Sequence, residues 1–140
     1  MSGSSCVFCR IVEGDLEADV LYASDTVVAF RDANPQAPVH VLLIPKEHLV
    51  SIADVEDRYA GMLADLFQAA HQVARAEGVA ESGWRLVTNV GREGGQHVFH
   101  LHVHLLGGRP MGWPPSRPTF VTRRQPDSAT PSARATWCAA

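Results

Sequence analysis

The stretch VHVLLIPK, Val39 to Lys46, constrains this chain more than any other. It is a short, nearly continuous apolar run bounded by turn-forming residues, which reads as a strand covered on both faces. Before it, DVLYASDTVVAFRD holds two β-rich pieces around Ala23-Ser24-Asp25, a hairpin from about Val20 to Arg31. ANPQAP, with Pro35 and Pro38, breaks the pattern and forms a loop. From Asp54 to about Glu77, Tyr59, Met62, Leu63, Leu66, Phe67, Ala70, Val73 and Ala74 recur at helical spacing, with Asp54 as the cap and Gly78 as the stop. WRLVTNV, Trp84 to Val90, reads as a further strand, and GREGGQ turns the chain back into a last, antiparallel one. Strands mixed with one long helix predict an α+β domain with a mostly antiparallel sheet.

Composition narrows what such a domain does. With 140 residues, 46% of them hydrophobic, the chain can bury one core without oligomerising in order to fold. A net charge of −3 and a pI near 6.1 supply no basic field for long nucleic acids, so phosphate chemistry must come from a local site acting on small substrates. There is no run of about 18 apolar residues, and the opening MSGSSCVFCRIVEGD lacks a basic n-region and a long apolar h-region. No membrane partner and a cytoplasmic location are therefore expected. The cysteines are Cys6, Cys9 and Cys138, an odd number whose first pair has C-x-x-C spacing, which suits a reducing compartment. From Pro114 onward five prolines, scattered Ser, Thr and Arg and no apolar periodicity beyond TFV mark a change of character. The expected organisation is one domain over residues 1–115 and a flexible tail over 116–140.

The last strand, HVFHLHVHLLGG, places His100, His102 and His104 at every second position. In a strand they project to one side at intervals of roughly 7 Å, with Phe99, Leu101, Val103 and Leu105 on the other. Three imidazoles on one face carry a desolvation and repulsion cost that ordinary packing would not choose. Two chemistries fit: a metal cluster, or attack of a neutral imidazole on phosphorus through a phosphohistidine. The attacking ring needs one nitrogen free and the other held by an acceptor that fixes its tautomer. Backbone N–H groups of the preceding glycine turn suit charge on phosphate oxygens.

At these residues the chain closely resembles the histidine triad family, whose signature His-x-His-x-His followed by two apolar residues is here HLHVHLL. The resemblance extends through AFRDANPQAPVHVLLIPKEH, TNVGREGGQ and GGRPMGWPP, about residues 6 to 115, and is best for the Hint branch of purine nucleoside phosphoramidases. It implies a five-stranded antiparallel sheet with one long helix and a short N-terminal helix, pairing into a homodimer with a continuous sheet. It also implies that His102 is the nucleophile and becomes nucleotidylated, that His104 contacts phosphate, and that His40 and the backbone of His100 orient the nucleophile. Asp32 would hold the ribose hydroxyls. Val7, Phe8, Ile11, Leu16, Phe30 and Ala33 would line the base pocket, and Asn89 and Gly95 would lie on the phosphate side. His97 stands where the Hint pattern carries a small hydroxyl residue, and Trp113 in the segment that reaches towards the partner's active site.

Cys6-x-x-Cys9 alone is half of a tetrahedral zinc set. The resemblance completes it with His48 of PKEH and His100, a closed structural Zn2+ site that ties the N-terminal segment to the histidine strand. No organic cofactor is expected. The expected activity is hydrolysis of the P–N bond of purine nucleoside 5′-monophosphoramidates, with the nucleoside monophosphate as product. Its rivals are a dinucleoside polyphosphate hydrolase, a nucleotidyl transferase, a purine-nucleotide-binding scaffold without useful turnover, and a catalytic metal held by all three triad histidines.

Overall fold

The computed structural model describes residues 5–113. The expected tail over 116–140 and Cys138 lie outside the described residues.

The chain begins with a seven-residue helix, α1 (Val7–Glu13), closed by Gly14 in the left-handed region. Strands β1 (Val20–Ala23) and β2 (Val27–Arg31) form the expected hairpin, followed by β3 (Val39–Pro45). The long helix α2 covers Ala60–Ala76, and β4 (Trp84–Val87) and β5 (Val103–Gly107) complete the sheet. The strand order is β1-β2-β3-β5-β4, with every neighbouring pair antiparallel.

Alternation along the strands divides the molecule into two layers. Val27, Ala29, Val39, Val41, Leu43, Val103 and Leu105 pack with Leu66, Ala69, Ala70, Val73 and Ala74 of α2. Val28, Phe30, Leu42 and Ile44 face the other way and pack with Phe8 of α1. β3 therefore has cover on both faces and all seven of its residues are buried, as its apolar run predicts. The positions that alternate with the α2-facing core are His40 on β3 and His104 on β5, so the imidazoles share the α1 side.

Several expectations need correction. Asp54 does not cap the long helix. Two 3-10 turns, Ile52–Asp54 and Asp57–Tyr59, precede it, and Asp54 instead accepts from the backbone N–H of Val50. Ser51, whose hydroxyl accepts from Ala53 N–H, caps the first turn. β4 ends at Val87 rather than Val90. β5 begins only at Val103, so His100, in a bend, and His102 sit in the segment leading into the strand. Phe99 and Phe67, both expected on the core side, are 41% and 59% exposed.

A carboxylate fastens the hairpin to α2. Asp65 accepts from Tyr22 Oη at 3.2 Å, Ser24 Oγ at 2.6 Å and Thr26 Oγ1 at 2.5 Å. Those bonds hold its pKa below the usual carboxylate value.

Candidate active site and metal centre

The glycine turn delivers the chain to the histidines under tight control. Gly95 has φ +87°, and a Cβ on Gly94 would run into the Val90 carbonyl oxygen, so neither position accommodates an ordinary side chain. Asn89 Nδ2 donates to Gly94 O at 2.7 Å. The buried Gln96 ties the turn to its surroundings. Its Oε1 accepts from Gly91 N–H, and its Nε2 donates to Val50 O and Val98 O. Gln96 stands between the glycines and His97, where no spacing in the sequence marks it out.

His100, His102 and His104 are all buried. His102 Nδ1 donates to the backbone carbonyl of His100 at 2.8 Å, which leaves the lone pair on Nε2. Burial lowers its pKa, against the opposing pull of that bond and of the Asp32 charge, so the ring is neutral near pH 7. Burial likewise pushes His104 down to about 3 and His100 to about 4. The rings of His102 and His104 lie edge to face at 5.1 Å.

His104 Nδ1 lies 2.9 Å from His40 Nε2, which is also 3.2 Å from Asp32 Oδ2. His104 Nε2 is buried without a hydrogen-bond partner. Leaving such a group unsatisfied costs about 1–3 kcal/mol, so it marks a place where a ligand oxygen would be accommodated.

The second cluster joins Cys6, Cys9, His48 and His100, whose ligand atoms all lie within 4.8 Å of one another. Cys6 is the N-cap of α1 and Cys9 lies one turn on, so one short helix presents both thiols on one side. Sγ of Cys6 and Nδ1 of His100 are 3.3 Å apart, Sγ of Cys9 and Nδ1 of His48 3.3 Å, Sγ of Cys9 and Nδ1 of His100 3.6 Å, and the two Nδ1 atoms 3.1 Å. Zinc bonds of about 2.3 Å to sulfur and 2.0–2.1 Å to nitrogen at tetrahedral angles require N–N and S–N edges of about 3.3–3.6 Å. His100 Nε2 donates to Pro45 O at 3.0 Å, which aims the Nδ1 lone pair into the cluster. The residues fit a zinc ion.

Asp32, His40 and His104 form another close set, but its hydrogen bonding disfavours a metal there. His40 Nδ1 accepts from Gln36 N–H at 2.9 Å, so Nε2 carries the ring proton and has no lone pair to offer. The committed Nδ1–H of His102 and the zinc-directed Nδ1 of His100 similarly disfavour one metal shared by the three triad histidines.

The remaining expected residues are divided. Phe8 and Phe30 are buried, with Phe8 edge-on to Phe30, His100 and His102 at 5.6, 5.8 and 5.1 Å. Val7, Ile11 and Leu16 are partly buried, while Ala33 and His97 are exposed. Ile11 and Leu16 also border an open depression with Gly14 and the 17–20 segment. Asp32 is buried beside His40, and its Oδ1 accepts from Asn34 N–H. Trp113 is 83% exposed. Its segment is held by Arg85, which donates to Gly112 O and Met111 O, and by Arg109, which donates to Gln36 O. Neither arginine is conspicuous in the sequence, because a guanidinium bonded to carbonyls leaves no spacing signature.

Five antiparallel strands that bury three imidazoles, two of them held by main-chain carbonyls and the third by His40, define an α+β protein with a histidine-centred site. The HIT domain family model matches residues 13–111, and the chain belongs to that family. It is 43% identical over 106 residues to the purine nucleoside phosphoramidase of Escherichia coli strain K12, covering 76% of this chain and 89% of that protein. It is 45% identical over 117 residues to a 14 kDa zinc-binding protein of Zea mays, covering 82% and 91%. The solved HIT family hydrolase of Legionella pneumophila Philadelphia 1 superposes with a TM-score of 0.78 at 49% identity, covering 80% of this chain and all of the other. Among the described residues no helix is long and apolar enough to cross a membrane.

Proposed function

We propose that this HIT family protein is a hydrolase that cleaves the P–N bond of purine nucleoside 5′-monophosphoramidates through a nucleotidyl-histidine on His102. The observation that carries the reading is the 2.8 Å bond from His102 Nδ1 to His100 O, which leaves a neutral Nε2 lone pair beside the unpartnered Nε2 of His104. His102 Nε2 forms a bond to phosphorus as the P–N bond breaks, and the leaving nitrogen takes a proton from solvent water to depart as the amine. That proton is returned to solvent when water later attacks the phosphohistidine. Water then cleaves the phosphohistidine, releasing nucleoside monophosphate and restoring the imidazole. His104 Nε2–H donates to a phosphate oxygen, assisted by Asn89 and the backbone of Gly95 and His97. Phe8, Phe30 and Ala33 contact the base, Asp32 the ribose hydroxyls, and Trp113 the neighbourhood of the leaving group. The phosphoramidase among its relatives supports this choice of substrate.

Cys6, Cys9, His48 and His100 hold a structural zinc ion in this reading, supported by their ligand spacing and by the zinc-binding relative. Bound zinc would fasten α1 to the approach to β5 and take no part in bond breaking. The protein works as a homodimer. Support comes from β4 at the edge of the sheet and from Phe67 exposed on α2.

The test is turnover of adenosine 5′-monophosphoramidate against diadenosine polyphosphate, with rapid acid quench and mass spectrometry for an adenylylated peptide containing His102. Preference for the amide and an adduct lost in His102→Ala are expected. Full activity in His102→Ala would end the proposal. Light scattering that found only monomer at micromolar concentration would remove the dimer.

A further inference from the structure

The buried polar cluster beside the triad contains a carboxylate whose contacts extend beyond the ribose role. The side chains of Asp32 and His40 are each 1% exposed, with Oδ2 3.2 Å from Nε2. Asp32 is fixed in turn. Its Oδ1 accepts from Asn34 N–H at 2.8 Å, and its own N–H donates to His40 O at 3.0 Å. Across the His40 ring, Gln36 N–H donates to Nδ1 at 2.9 Å. The loop between β2 and β3 therefore addresses both nitrogens of the same imidazole.

This arrangement determines where the protons lie. With Nδ1 accepting, the single proton of neutral His40 is on Nε2, between Asp32 Oδ2 at 3.2 Å and His104 Nδ1 at 2.9 Å. When that N–H donates to His104 Nδ1, the proton of His104 must be on Nε2, the nitrogen buried without a partner. A carboxylate beside His40 favours this pattern, because it accepts from an N–H and stabilises positive polarisation of the ring. An amide in its place would offer a weaker, uncharged acceptor or point a second donor at Nε2–H.

We propose that Asp32 is a positioning residue for the phosphate chemistry: through His40 it fixes the tautomer of His104 that presents Nε2–H to a phosphate oxygen, in addition to any contact with ribose. The proposal deepens the nucleotide hydrolase reading and rests on it. As negative charge develops on the phosphate oxygens, the His104 dipole strengthens and polarises His40, and the buried Asp32 charge stabilises that response. Its pull on His40 opposes the larger effect of burial.

The two roles of Asp32 separate on a substrate without ribose hydroxyls. We would measure kcat and KM for the wild-type protein and Asp32→Asn with adenosine 5′-monophosphoramidate and with its 2′,3′-dideoxy counterpart. Asp32→Asn is expected to lower kcat on both substrates by a similar factor, on the order of tenfold to a hundredfold, and Asp32→Glu to recover part of the loss. An effect confined to KM, or one that vanished on the dideoxy substrate, would reduce Asp32 to a ribose contact and overturn the proposal. Ring ¹⁵N chemical shifts of the wild-type protein give a readout independent of turnover. His40 protonated on Nε2 and His104 protonated on Nε2 are expected, and either opposite tautomer would overturn the proposal. A wild-type protein that did not turn over either substrate would sink the hydrolase reading, while the ring shifts would still decide the tautomers.

Discussion

His100 and His102 are joined by a 2.8 Å hydrogen bond from the Nδ1 of one to the backbone carbonyl of the other, while the His100 side chain turns its own Nδ1 towards Cys6, Cys9 and His48. Residue 100 thus serves His102 with its main chain and the cluster of Cys6, Cys9 and His48 with its side chain. Substitution should separate these roles. His100→Asn keeps the carbonyl and is expected to lose zinc while retaining more turnover than His102→Ala, which should fall by roughly a thousandfold or more. Zinc content and kcat measured on the same preparations provide the check. Equal losses of activity in the two variants would mean that the side chain of His100 belongs to the chemistry.

Zinc at the four-residue set would couple metal to folding, because the unfolded chain does not hold the ligands together. Cys6→Ser and Cys9→Ser are expected to bind less zinc and to melt several degrees lower than the zinc-loaded parent. Chelation should lower the parent's melting temperature towards theirs. A melting temperature indifferent to both chelator and substitution would argue against a structural metal.

Acid should destabilise the fold in a defined window. His104, at about 3 in the fold, and His40, also lowered, bind protons less readily folded than unfolded, where histidine titrates near about 6.5. Depressed histidine values therefore contribute their full stability above pH of about 6.5, and that stability is lost as pH falls towards about 3. Urea midpoints should decline over this range, and His104→Gln should flatten the decline. An unchanged slope in that variant would assign the acid sensitivity to other groups.

Asp65 accepts from Tyr22, Ser24 and Thr26 and so joins α2 to the first hairpin. Asp65→Ala removes the shared acceptor and is expected to cost about 1–3 kcal/mol in urea unfolding. Because this contact lies on the α2 side, away from the imidazoles, KM should stay within error of the parent. A stability loss below about 0.5 kcal/mol would place the bonds among weak surface contacts.

The framework was legible in the sequence wherever burial imposed a period. The β1–β2 hairpin, the doubly covered β3 and the interior of α2 follow from apolar spacing, since each must hide a definite face. Asp54 reads as a cap because it is an acidic residue before an apolar helix, whereas the 3-10 turns are set by local hydrogen bonds, including the Ser51 side-chain cap. Phe67 and Phe99 share the spacing of core positions but project outward, and a period alone does not report how far a covering layer extends. The four potential zinc ligands were identified through resemblance, and their convergence is geometric. Gln36 and Gln96 are inconspicuous in the sequence because the first acts through a main-chain N–H that every non-proline residue carries, and the second through a contact far along the chain.

β5 has a hydrogen-bonded neighbour on each side, β3 and β4, whereas α1 is seven residues long and leans on the sheet through Phe8, with Cys6, Val7, Ile11 and Val12 around it. Moving His104 means separating β5 from two strands, whereas of the residues proposed to meet the base Phe8 stands on the small outlying helix and Phe30 on β2. In the proposed reading, redesign of base preference therefore begins at Phe8, whose backbone is outside the sheet's ladder.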